Sequence, residues 1–173
     1  MIPADQHLVL VGMMAVGKTT VARAAAERLG RPVFDTDEMI EVSTGRTVRE
    51  IFADDGERTF RSLETEMLRI ALASEQPAVV AAAGGAVLNP ENREALSVAD
   101  ARVVWLCADT ATLLERVAAG AAVTGHRPLL DDDPAGTLQR MFDEREALYR
   151  EVADMIVVVD DRSIDEVVAA VVQ

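Results

Sequence analysis

The chain predicts a three-layer α/β/α domain built on a five-stranded parallel sheet. Three observations carry that expectation. Short continuous apolar runs recur between segments of helical periodicity, turn-forming residues punctuate the junctions, and no internal repeat or low-complexity linker breaks the alternation. Strands without polar alternation need cover on both faces, which a parallel sheet with crossover helices supplies.

The elements follow in order. His7–Val11 is an apolar run ending at a glycine loop and reads as the first strand. Lys18–Leu29 has helical spacing, with Gly30 as its C-terminal cap. Arg31–Phe34 leads a brief second strand into Asp35-Thr36-Asp37. Residues 38–44 and 47–54 read as helices, Gly56 breaks the pattern, and a longer helix is expected over 57–74. Ala78–Ala82 is the third strand, followed by Gly84-Gly85, and Arg102–Leu106 is the fourth. Asp109 is placed to cap a helix running to about residue 119. Residues 120–133, with Gly, Thr, His, Pro and three consecutive Asp, read as a mobile loop. Pro134–Val152 is helical, Met155–Val159 is the fifth strand, and Ser163–Val171 is the closing helix. At 173 residues, all of this fits one domain, 1–173. Within it, a substrate-binding helical segment is expected at about 37–64 and a lid at about 118–134.

Half the residues are apolar but only 3% are aromatic, so the core is built from Ala, Val, Leu and Ile. A net charge of −13 opposes binding to nucleic acid or to an anionic membrane surface. An anionic ligand must then be gripped by local arginines and backbone N–H groups. Cys107 is the only cysteine, which excludes an intramolecular disulfide, and the apolar runs are too short or too interrupted to span a bilayer. With no secretory signal at the start, the cytoplasm is the expected setting.

Lys18 is the only lysine in the chain; the other sixteen of its seventeen basic residues are arginines. It stands in Gly12-Met13-Met14-Ala15-Val16-Gly17-Lys18-Thr19, the G-x-x-x-x-G-K-T pattern of a phosphate-binding loop, between a strand and a helix. A compact ammonium fits between β- and γ-phosphates where a forked guanidinium does not. The backbone N–H groups of Ala15, Val16 and Gly17, with Lys18, Thr19 and Thr20, are expected to hold a nucleoside triphosphate, and Thr19 to place its hydroxyl on Mg²⁺. Ala15 stands where such loops often carry glycine; if its φ is positive, the strain is roughly 1 kcal/mol.

Asp35 and Asp37 are alternate residues, so on extended backbone both carboxylates face the cleft. One can hold Mg²⁺ through water and the other can orient an acceptor hydroxyl; alternatively, Asp37 simply caps the next helix.

Taken with these motifs, three further stretches make the chain resemble the shikimate kinases over nearly its whole length. They are Phe52…Gly56-Glu57…Phe60-Arg61-Ser62-Leu63-Glu64, then Gly84-Gly85-Ala86-Val87, and then Arg127-Pro128-Leu129-Leu130 with Arg145-Glu146-Ala147-Leu148-Tyr149-Arg150-Glu151-Val152-Ala153. The resemblance implies the three-layer α/β/α P-loop kinase fold and a monomeric enzyme that phosphorylates the 3-hydroxyl of shikimate with ATP and Mg²⁺. It implies that Asp37 hydrogen-bonds the attacking hydroxyl and Asp35 holds Mg²⁺ through water. It further implies that Arg61 and Arg145 clamp the substrate carboxylate, that Gly84 and Gly85 add N–H contacts, that Glu64 orients Arg61, and that Phe52 and Phe60 line the ring pocket. Arg127 would belong to a lid over the phosphates, and Arg116 or Arg162 would border adenine.

Read singly, each residue has a plainer role. Arg61–Glu64 is an ordinary surface pair, Arg145 lies on a solvated helix, Phe52 and Phe60 are core, Arg127 is surface, and Gly84-Gly85 is only a tight turn. Ala83, where the family usually has the first of three glycines, keeps open a kinase for another hydroxy acid or cyclitol such as gluconate. A non-catalytic nucleotide-binding module is the further alternative.

Overall fold

The computed structural model describes residues 2–124 and 133–173. Five strands, β1 (His7–Val11), β2 (Val33–Asp35), β3 (Val79–Ala81), β4 (Ala101–Cys107) and β5 (Met155–Val158), form one sheet in the order β2-β3-β1-β4-β5. Every pairing is parallel. The helices are α1 (Lys18–Leu29), α2 (Thr36–Thr44), α3 (Val48–Leu72), α4 (Pro90–Val98), α5 (Thr110–Thr124), α6 (Pro134–Val152) and α7 (Ile164–Val171). The expected fold class is the one observed.

Register explains where a site can form. Leu10 of β1 and Asp35 of β2 both pair with Ala81 of β3, so three strands end side by side. The phosphate-loop motif, the Asp35–Asp37 triplet and the Gly84 turn therefore leave the sheet at one edge, its carboxyl end, where open α/β sheets bind ligands. The interior is dry: Leu8, Leu10, Val80, Val104 and Leu106 have no exposed surface. Alanines 22, 25 and 26 are buried on α1, and these small side chains let that helix lie close to the sheet.

Local chemistry sets the helix ends. Gly30 and Gly45 close α1 and α2 in the left-handed conformation. Thr47 and Glu50 form a reciprocal capping box at the start of α3, as Ser163 and Glu166 do for α7. Gly56, with φ 81° and ψ 171°, puts a non-helical kink inside α3 where the sequence indicated a break.

Two expectations need correction. The sequence reading passed over α4, although Asn89 as N-cap followed by Pro90 is a strong start signal. The helix expected to end at about residue 119 runs further, and the next one takes its cap from within the segment read as loop. α5 continues to Thr124, since Ala121 and Ala122 favour helix and one glycine is tolerated, and Asp133 caps α6 through the Gly136 N–H. Residues 125–132, including Arg127, lie outside the described residues.

Gly12, at φ 144°, is pressed against strand β4: a Cβ there would collide with the Leu106 carbonyl oxygen. We expect Gly12→Ala to lower unfolding stability by about 2 kcal/mol or more in denaturant titration, since neither backbone can yield, and to weaken nucleotide binding.

Candidate active site

The loop from Gly12 to Gly17 wraps the N-terminus of α1. Gly17, at φ 104°, begins the helix without a side-chain cap, so the first helical N–H groups point outward. Ala15 has φ 62°, the left-handed conformation that costs a non-glycine residue roughly 1 kcal/mol. Lys18 Nζ donates to the Gly12 and Met13 carbonyls at 2.8 and 3.0 Å, which folds its ammonium back over the loop.

Beside it, the Thr19 hydroxyl donates to Asp35 Oδ2 at 2.6 Å. The other oxygen, Oδ1, accepts the Asp37 and Glu38 N–H groups and caps α2. The helix cap is thus Asp35, which leaves Asp37 for another task. Among the described residues no three His, Cys, Asp or Glu side chains converge on a metal position. The Thr19–Asp35 pair therefore suits a hard cation held mainly by phosphate and water.

Asp37 stands at the junction of two cavities. One, of about 440 Å³, is bounded by the phosphate loop, Lys18, Thr19 and Asp35. The other, of about 140 Å³, is bounded by Phe52, Phe60, Arg61, Gly85 and Arg145. Asp37 and Gly84 border both. Asp37 Oδ1 is buried and has no hydrogen-bond partner among the described residues. Burial, with Asp35 adding repulsion, pushes its carboxyl up from 3.8 to about 6, while Lys18 pulls the other way.

The smaller cavity holds the buried charge. Arg61 donates to Glu64 at 2.6 Å and to Glu57 at 3.0 Å, and its guanidinium lies 5.6 Å from the Phe60 ring centre. Glu64 is only 2% exposed, so this is no ordinary surface pair. Burial raises the Glu64 carboxyl to about 7 against the pull of Arg61. Gly85 packs against the Arg61 guanidinium, where a Cβ would overlap it. Arg145 is 4% exposed on α6 rather than solvated; its Nη1 is 3.4 Å from the Gly84 carbonyl, and its Nε has no partner among the described residues. Phe52 and Phe60 contact each other, ring centres 4.6 Å apart, and form one wall.

A third cavity, of about 360 Å³, lies behind the phosphate loop and is bounded by Val16, Thr20, Arg116, Val159, Arg162 and Ile164. Both candidate base-contacting arginines reach it. Arg116 also donates to the Val16 carbonyl at 2.9 Å, which ties α5 to the loop. The structure thus brings together all the sequence-named site residues that it describes.

Sequence reasoning missed several participants. Thr36 accepts the Ala83 N–H at 2.9 Å and joins the triplet to the substrate turn. Met14, Val48 and Met141 bound the small cavity. Tyr149 donates to the Gly84 carbonyl at 2.6 Å; its being the chain's only tyrosine was the available signal.

A phosphate cradle, a hydroxyl–carboxylate pair and a buried carboxylate opening onto a small cationic pocket define an ATP-dependent small-molecule kinase of the P-loop class. Comparison with known proteins narrows the class. A family model described as shikimate kinase matches residues 14–173. The chain is 45% identical to a shikimate kinase of Symbiobacterium thermophilum, over 96% of this chain and 94% of that one. It is 44% identical to one of Streptomyces coelicolor, over 94% and 91%. The structure of Acinetobacter baumannii shikimate kinase in complex with shikimate superposes with a TM-score of 0.89 at 35% identity, covering 97% of this chain and 91% of that one. The chain belongs to the shikimate kinase family.

The raised Asp37 carboxyl gives a prediction of opposite signs for stability and activity. A carboxyl that holds its proton more tightly folded than unfolded is stabilised by protonation, so its ionised form lowers stability as pH rises from about 4 to about 6. Asp37→Asn is therefore expected to raise the melting temperature at neutral pH while abolishing most turnover. In the wild type, kcat/KM should fall as pH drops below about 6.

Proposed function

We propose that this protein transfers the γ-phosphoryl group of ATP to the 3-hydroxyl of shikimate, giving shikimate 3-phosphate and ADP on the chorismate route to aromatic amino acids. One observation carries the reading: the unpartnered inner oxygen of Asp37 lies where the phosphate cradle meets a pocket walled by two guanidinium groups, the buried Arg145 and the partly buried Arg61. A small acid held by Arg61 and Arg145 would turn a ring hydroxyl toward Asp37 and the phosphate loop. The size of that pocket suits a single six-membered ring rather than a chain or polymer.

Phosphoryl transfer asks the protein mainly for positioning and neutralisation of charge. Loop N–H groups and Lys18 would grip the phosphates, with Lys18 exchanging its loop carbonyls for phosphate oxygens. Thr19 directly and Asp35 through water would hold Mg²⁺, which when bound neutralises charge on the phosphates. Asp37 would orient the acceptor hydroxyl and take its proton late in the transfer. Glu64 would keep the Arg61 fork turned toward the carboxylate. Phe52 and Phe60 would exclude water from the ring. Arg116 or Arg162 would border the adenine, and Arg127 would close over the phosphates. One chain supplies every group in this scheme, in keeping with a monomer, and a lone unpaired cysteine suits a reducing cytoplasm.

ADP release with shikimate, quinate and gluconate, each with and without Mg²⁺, tests the reading. Turnover is expected with shikimate alone and only with the metal; a faster rate with gluconate would overturn it. Arg61→Lys should raise KM for the acid about ten-fold or more with little change in KM for ATP, because the forked contact is lost.

A further inference from the structure

Tyr149 is fully buried and stacks on Trp105, ring centres 5.6 Å apart and planes 22° from parallel. Its hydroxyl donates to the Gly84 carbonyl at 2.6 Å. Arg145 lies one turn earlier on α6, on the same face, and its Nη1 donates to that same oxygen at 3.4 Å, a long and weak hydrogen bond. Its Nε has no partner among the described residues. Gly84 in turn lies close against the backbone of the phosphate loop at Gly12 and Met14. One carbonyl therefore accepts from two donors, and the neutral phenol makes the much shorter bond.

We propose that Tyr149 is a positioning residue for the acid-binding arginine: by satisfying the Gly84 carbonyl it keeps the Arg145 guanidinium available for the substrate carboxylate. Without the phenol, the carbonyl would lose its short partner, and Arg145, already its second donor, would be drawn in to take that place. Closing the 3.4 Å gap would turn the fork away from the pocket. The Trp105 stack fixes the ring, so the hydroxyl has one direction to point. The side-chain hydrogen bonds of Lys18 to the Gly12 and Met13 carbonyls and of Thr19 to Asp35 do not involve the Gly84 carbonyl.

The inference rests on the proposed acid-binding pocket, so it is tested with whichever acid of the panel supports ADP release. If that acid is not shikimate, the proposed acceptor fails while this test still stands. Tyr149→Phe is expected to raise KM for the acid about ten-fold with KM for ATP unchanged, the size expected for losing part of a charge-assisted contact. In an Arg145→Lys background the same change should add little. Val171→Ala, a core truncation on α7 that borders none of the three cavities of the cleft, should lower the melting temperature without moving either KM. An unchanged acid KM in Tyr149→Phe, or fully additive effects in the double variant, would overturn the proposal.

A second measurement needs no substitution. The chain has one tyrosine, so biosynthetic incorporation of a ring-fluorinated tyrosine places a single fluorine probe at this site. Its resonance should shift when the acid binds and stay still with nucleotide alone; a signal indifferent to the acid would also overturn the proposal.

Discussion

The pairing of Arg61 with the buried Glu64 governs much of the rest of this molecule. Ions brought out of water are tolerated only when partners compensate them closely. Here the compensation involves neighbouring elements: Glu64 from α3, Arg145 from α6, Asp37 from α2 and the backbone of the turn after β3. Glu64 feels both Asp37 and Arg145 as well as its direct partner. Each piece is held by demands of the others. Gly85 must lack a side chain for Arg61 to lie where it does, and Thr36 fastens the turn that presents Gly84.

The sheet makes this convergence possible without long-range searching by the chain. Three parallel strands stop in register, so the loops that follow them begin as neighbours. The central crowding of backbone, with Gly12 on β4 and Gly84 on the phosphate loop, then couples the nucleotide half of the cleft to the acceptor half. Strain is concentrated in the same place, where Ala15 holds a left-handed conformation beside the phosphate position. Stability is given up in the cleft through Ala15 and Asp37, and it is recovered in a core whose strands are almost wholly excluded from water.

Much of this was legible in the sequence because its signals are local. The strand–loop–helix around Lys18, the glycine that ends α1 and the break at Gly56 each follow from residue chemistry within a few positions. Arg61 and Glu64 were legible as a pair for the same reason, being three apart on one helix. The burial of Glu64 was not, since it depends on what packs against this helix from elsewhere in the chain, such as Gly85 of the turn after β3 lying against Arg61. The burial of Arg145 was hidden likewise: a helix dense in Glu and Arg gives no sign of which arginine turns inward. The helix after Asn89-Pro90 was legible and passed over. The extension of α5 to Thr124 was obscured by Gly120 and Gly125, which read as loop although helix tolerates one of them.

The scarcity of lysine has a practical outcome. Reagents that acylate side-chain amines find a single such target along the chain, and it sits folded against the Gly12 and Met13 carbonyls at the mouth of the nucleotide cradle. Coupling this protein to a surface through amines would tether it by that cradle or by its N-terminus. The extent to which ATP shields the side chain from such a reagent would read nucleotide occupancy directly, with no competing lysine elsewhere to blur the signal.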